Sequence, residues 1–332
     1  MDDQRDLERM LGNLRQFQSE SDASKESEKS PSNAGTSFDA DEFLAGLDAM
    51  FASHTAKDKA DEYLQQAMAD AENAQDYAGL LTVLNETMGF YRSQGRHQEN
   101  QWIIQRAIEL ALRMGLEGTE AWTTTLINAA TSQRAAGNLD QAEDLFEQAL
   151  DAARRTYGPD DRRLAALHNN RSMLFSQTHR RRQAIDELHE SLRILEHSSV
   201  DAQSDVDIAS TCTNLALAML DGEDQPTDAE LEEAQSLARR TLDIYQHAGS
   251  DSSAHYASAL AGAAHVSFAS EDYAEAVRQY QRALDVIARC YGEHTDYYRV
   301  TAQNLQEAQR KLELTQSTDN PHDSVDDSPA QS

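Results

Sequence analysis

Residues 126–161 read LINAATSQRAAGNLDQAEDLFEQALDAARRTYGPDD, and their spacing decides the fold. Beyond the Ala-Gly-Asn turn at 136–138, Ala142 is followed at +4, +7 and +8 by Phe146, Ala149 and Leu150, which share one face of an α-helix. The frame returns at Asn100 (Ile104, Ala107, Ile108), Ala184 (Leu188, Ser191, Leu192), Ala234 (Ala238, Thr241, Leu242) and Ala276 (Tyr280, Ala283, Leu284). The five anchors lie 42, 42, 50 and 42 residues apart. A fixed period in this range marks hairpins that bury their apolar faces against one another, not a single globular core.

Working outward from this frame, full hairpins are expected at about 77–115, 119–157, 161–197, 205–247 and 254–291, followed by a closing helix at 296–313. Gly95 and Gly137 stand five residues before their anchors, where the turn between paired helices demands positive φ; His179 and Glu271 hold that place in two other repeats. The 50-residue interval comes mainly from DGEDQPTD, 221–228, which lengthens the turn of the fourth hairpin and lacks the calcium-loop pattern. The domain expectation is an amphipathic N-terminal helix at 1–18 (Leu7, Met10, Leu11, Leu14, Phe17), a disordered linker at 19–37, a leading helical hairpin at 38–76, the solenoid at 77–313 and a disordered acidic tail at 314–332.

The formal charge of −29, from 29 basic and 58 acidic residues, repels polyanions and disfavours nucleic acid and anionic membranes as partners. Against this background, 154–193 is a basic island of nine arginines and five acids, a place for an acidic partner or the acidic tail. Two distant cysteines, an acidic N-terminus without an apolar run, and no 18-residue apolar stretch point to a reducing, cytoplasmic location.

The 126–161 stretch, LHNNRSMLFSQTHRRRQAIDELHESL at 167–192 and SEDYAEAVRQYQRALDVIARCYGEHTD at 270–296 resemble tetratricopeptide repeats of the longer, roughly 42-residue kind found in kinesin light chains. The Tyr-Gly pairs after the second helix (Tyr157-Gly158, Tyr291-Gly292) belong to that resemblance. It implies an all-α, right-handed α-solenoid of stacked helix hairpins, in which the first helix of each pair lines a concave groove that takes peptides or partner helices.

The groove residues follow from phase. Asn128, Asn170 and Asn214 recur on successive first helices, with Asn169 beside one of them and Asn85 one step off phase. A ladder of amides, each both donor and acceptor, suits an extended peptide backbone; the alternative is that the amides bond one another and fix the stacking. The resemblance places the Asn169-Asn170 pair on the groove. Thr131 is counted on the same face, and Arg92 and Arg134 share an equivalent position from which they would clamp a carboxylate, or else form surface ion pairs. Two departures stand out: Arg171 replaces an apolar residue between helices, and Gly262 replaces the Asn of the fifth repeat.

Eleven histidines, including His168 and His265 on first helices, show no HxxxH or HExxH spacing, and no phosphate loop or nucleophile elbow is present. The expectation is therefore a non-enzymatic protein- or peptide-binding scaffold or adaptor with no cofactor and no metal; its oligomeric state is not readable from the sequence. The alternative is a regulatory sensor whose groove is autoinhibited by its own N-terminal helix.

Overall fold

The computed structural model describes residues 38–52, 56–222 and 225–318. Among these residues there are thirteen helices and no strand. Helices α1 (Ala40–Ala52) and α2 (Ala56–Asn73) form the leading hairpin. Five hairpins follow: α3 (Tyr77–Ser93) with α4 (His97–Arg113), α5 (Glu120–Ala135) with α6 (Leu139–Thr156), α7 (Arg162–Gln177) with α8 (Arg181–Ser198), α9 (Val206–Leu220) with α10 (Asp228–His247), and α11 (Ala254–Ala269) with α12 (Tyr273–Tyr291). Helix α13 (Asp296–Thr318) closes the chain.

The chain divides into two compact units, Met1–Pro159 and Asp160–Ser332. Within the first, α3 packs on its own second helix α4 and on the next first helix α5, and α4 packs on α5 as well. Within the second, α9 packs on α8, α10 and α11, while α12 packs between α11 and α13. The anchors explain why. Ala142, Ala184, Ala234 and Ala276 are fully buried, so the paired helices approach closely where a larger side chain would hold them apart. One turn on, Phe146, Leu188 and Tyr280 fill the adjoining space, each contributing on the order of 1.5–3 kcal/mol by burial.

Local sequence sets the helix limits. The first helices α5, α7, α9 and α11 are capped by Thr119, Asp161, Asp205 and Ser253, whose side chains accept from backbone N–H groups of the first turn. Between paired helices the chain passes through positive φ at Gly95 (67°) and Gly137 (82°), and also at His179 (57°) and Glu271 (62°), which take the same left-handed turn without glycine's freedom. At each turn two backbone bonds close the preceding helix, as in Gly137 N to Arg134 O and Asn138 N to Gln133 O. At the long turn of the fourth hairpin, Thr227 and Glu230 form a capping box at the start of α10, and the Arg181 guanidinium donates to Ala218 O and Met219 O at the end of α9 and to Glu230 Oε1.

One boundary needs correction. Helix α13 continues to Thr318, so the expected disordered tail does not begin at 314; Lys311, Leu312, Glu313 and Leu314 are good helix formers, and the Thr315 hydroxyl bonds Leu312 O. The helix expected at 1–18, the linker at 19–37 and the autoinhibited alternative that rests on them lie outside the described residues, as do residues 319–332. Among the described residues no helix is long and apolar enough to cross a membrane.

Candidate functional site

The eight groove residues separate into two groups, one on each unit. In the first unit Asn128 of α5 donates through Nδ2 to Asn85 Oδ1 of α3 at 3.0 Å, and Asn85 Nδ2 donates to Leu81 O and to Thr125 Oγ1. In the second, Asn214 of α9 donates to Asn169 Oδ1 of α7 at 3.0 Å. Of the two alternatives posed by the sequence, the structure gives the amides a stacking role: each pair ties one first helix to the next. Asn85 is fully occupied. Asn128 and Asn214 each keep a carbonyl oxygen and one N–H, and Asn170 makes no side-chain hydrogen bond to any described residue.

Thr131 spends its hydroxyl proton on Ile127 O at 2.7 Å, the usual bond of a helical threonine one turn back. Arg92 and Arg134, at the last turns of α3 and α5, behave differently. Arg92 Nη1 reaches only Ser132 Oγ at 3.4 Å, and the Arg134 Nε is buried with no acceptor. Burial lowers the proton affinity of both guanidinium groups, and the charge of Arg92 lowers that of Arg134 further. Neither forms an ion pair with a carboxylate among the described residues, so the surface-pair alternative fails. Two half-buried cations thus lie close enough to repel, in a chain with twice as many acids as bases.

Polar groups that the repeat frame did not single out complete the surroundings of this pair. Gln101 of α4 and Gln133 of α5 exchange two hydrogen bonds at 2.8 Å, and Asn138 Nδ2 donates to Gln133 Oε1, which holds the end of α5 beside Arg134 in place.

The basic island is mostly consumed by intramolecular pairs. Arg162 pairs with Asp205 and Asp207, Arg163 with Asp161, Arg181 with Glu230, and Arg193 with Asp160 and Glu190. His168 and Arg171 both turn inward from α7 to Glu187 of α8: Nδ1 donates to Oε2 at 2.6 Å and Nη1 to Oε1 at 2.8 Å. Arg171 thus stands between helices, where the sequence placed it, but with a buried carboxylate as its counterpart.

Gly262 also has a structural reason. A Cβ there would lie 3.0 Å from the Thr213 methyl, so the missing side chain lets α11 approach α9 closely.

Residues 121–197 match the family model of the tetratricopeptide repeat. A search of curated proteins finds no match. Among solved structures, two of a Podosopora anserina protein described as a kinesin light chain with nearly identical tetratricopeptide-like repeats superpose with TM-scores of 0.53 and 0.52, at 14% and 15% identity. They cover 63% and 64% of this chain and 95% and 96% of their own. BtubC (BKLC) from P. vanneervenii aligns over 76% of this chain and 96% of its own, at 17% identity and a TM-score of 0.46. The Podosopora superpositions show the fold, and the family match falls on the two central hairpins from which the repeat frame was read. Residues 121–197 are thus similar to tetratricopeptide repeats, and the chain shares the fold of the Podosopora kinesin-light-chain repeats.

Proposed function

We propose that the protein is a non-enzymatic binding scaffold whose first unit holds an acidic segment of a partner protein on the face carrying Arg92, Asn128, Thr131 and Arg134. The observation that carries this reading is the pair of half-buried guanidinium groups that meet no carboxylate among the described residues, one with its Nε buried and unbonded there. A bound carboxylate would accept from the terminal nitrogens of the Arg134 guanidinium, a bidentate geometry arginine offers, and would remove the repulsion from Arg92. The spare carbonyl and N–H of Asn128 lie in the phase to meet the main chain of the same segment, independent of its sequence. The net charge favours a partner that is basic or neutral overall and presents its acids locally.

The test compares a fluorescein-labelled poly-glutamate peptide with its glutamine counterpart by fluorescence anisotropy. The acidic peptide should bind more tightly than the neutral one, and its affinity should fall as salt rises. Arg134→Met should weaken binding at least tenfold while raising the stability of the first unit by up to about 1 kcal/mol, because an uncompensated cation is replaced by an apolar chain of similar length. Equal affinity for the two peptides, or unchanged affinity in Arg134→Met, would refute the proposal.

A further inference from the structure

The ionic trio of the third hairpin occupies three positions that are apolar on both sides of it in sequence. His168, Arg171 and Glu187 lie 42 residues after Leu126, Ala129 and Leu145, and in the next hairpin the same places belong to Cys212, Leu215 and Leu237. All six of those residues are buried. The trio is nearly as enclosed: the side chains of His168, Arg171 and Glu187 are 7%, 13% and 14% exposed. Glu187 is the shared acceptor, and Arg171 also lies over the Phe175 ring at 5.4 Å.

The substitution is concerted. One polar residue in this interface would leave an unpaired group, whereas three matched residues satisfy one another. What they do not supply is apolar burial. Withdrawing a carboxylate and a guanidinium from water offsets most of their attraction, and an apolar set of the same shape commonly holds such an interface as well or better. In a stacked array each hairpin keeps its own intrinsic stability, so a weaker helix–helix seam in one hairpin is felt as local opening there.

We infer that the α7–α8 hairpin is a built-in opening point of the second unit, held shut by the Glu187 carboxylate and opening before the α9–α10 hairpin beside it. The buried face that opening uncovers includes Leu167, Leu174 and Phe175, which gives the unit a second, transient apolar surface.

Native-state hydrogen exchange of the full chain, read by mass spectrometry, tests this. Amides of α7 and α8 should exchange at least tenfold faster than those of α9 and α10. The variant His168→Leu/Arg171→Leu/Glu187→Leu carries the residue found at 126, 145, 215 and 237; it should slow exchange of α7 and α8 at least tenfold and leave the first unit unchanged. Glu187→Gln should accelerate it. Equal protection of the two hairpins in the wild-type protein would overturn the inference whether or not the triple variant folds. So would a folded triple variant whose α7 and α8 amides exchange at the wild-type rate or faster.

Discussion

Asp205→Asn should cost the second unit roughly 2 kcal/mol at pH 7, and the cost should shrink in acid. Asp205 caps α9 and receives both terminal nitrogens of Arg162 from α7, at 2.6 and 2.9 Å, with further bonds from Ser199 Oγ and Asp207 N. The Arg162 guanidinium, aided by these donors, holds the carboxyl at about 2 against an ordinary 3.8, although burial works in the other direction. The Asp205 side chain is 11% exposed and that of Arg162 38%, so solvent screens the pair in part. The drop from the ordinary value to about 2, at about 1.36 kcal/mol per tenfold change in proton affinity and reduced for the exposed side of Arg162, gives roughly 2 kcal/mol. Because the folded state binds the proton more weakly than the unfolded one, this stabilisation is fully present above the unfolded value near 4 and is lost as pH falls toward 2; about 1.3 kcal/mol remains at pH 3. Asn can keep the capping bond through Oδ1, while its Nδ2 cannot accept from Arg162 Nη1 and Ser199 Oγ, so the substitution removes the charge together with that half of the bidentate pair. Urea denaturation of wild type and variant, followed by circular dichroism at pH 7 and pH 3, measures both differences. A difference between the two proteins that is the same at both pH values would refute the argument, since it would mean the charge on Asp205 contributes nothing that its amide does not.

Other outcomes follow from particular residues. His179→Gly and Glu271→Gly should each stabilise the protein by about 0.5–1 kcal/mol in thermal or urea melts, because both side chains sit at positive φ in turns where Gly95 and Gly137 do the same task without strain. Gly262→Asn, which restores the repeat's amide, should destabilise by about 1–3 kcal/mol, since its Cβ alone meets the Thr213 methyl at 3.0 Å; a stability equal to wild type would show that α9 and α11 shift apart freely. Phe146→Ala should cost about 3–5 kcal/mol in the same assay, because the ring is fully buried one turn from Ala142.

The hairpins were legible because each is a local object. The offsets +4, +7 and +8 from Ala142 or Ala276 state which side of a helix is buried, and the structure encloses those side chains. The turns were legible in their place, five residues before an anchor, but at His179 and Glu271, where the lack of glycine suggested a less ideal turn, the chain takes the same positive φ as at Gly95 and Gly137. The candidate site was legible only in part. Phase alone put Asn128, Asn170 and Asn214 on successive first helices, but the partners of Asn128 and Asn214 lie 43 and 45 residues back, off the repeat.

The sequence by itself determined an array of paired helices, their approximate limits and the residues through which they pack, since these depend on helix geometry and on the burial of apolar faces. Only the tertiary structure decided which polar groups are already spent. Asn85, Arg162, Arg171 and Arg181 read as available in the sequence and are occupied in the fold, whereas Arg92 and Arg134 have no carboxylate partner among the described residues. The physical reason is that a hydrogen bond or ion pair between helices depends on atoms meeting within about 3 Å, a condition set by helix crossing and not by the spacing of residues along one chain.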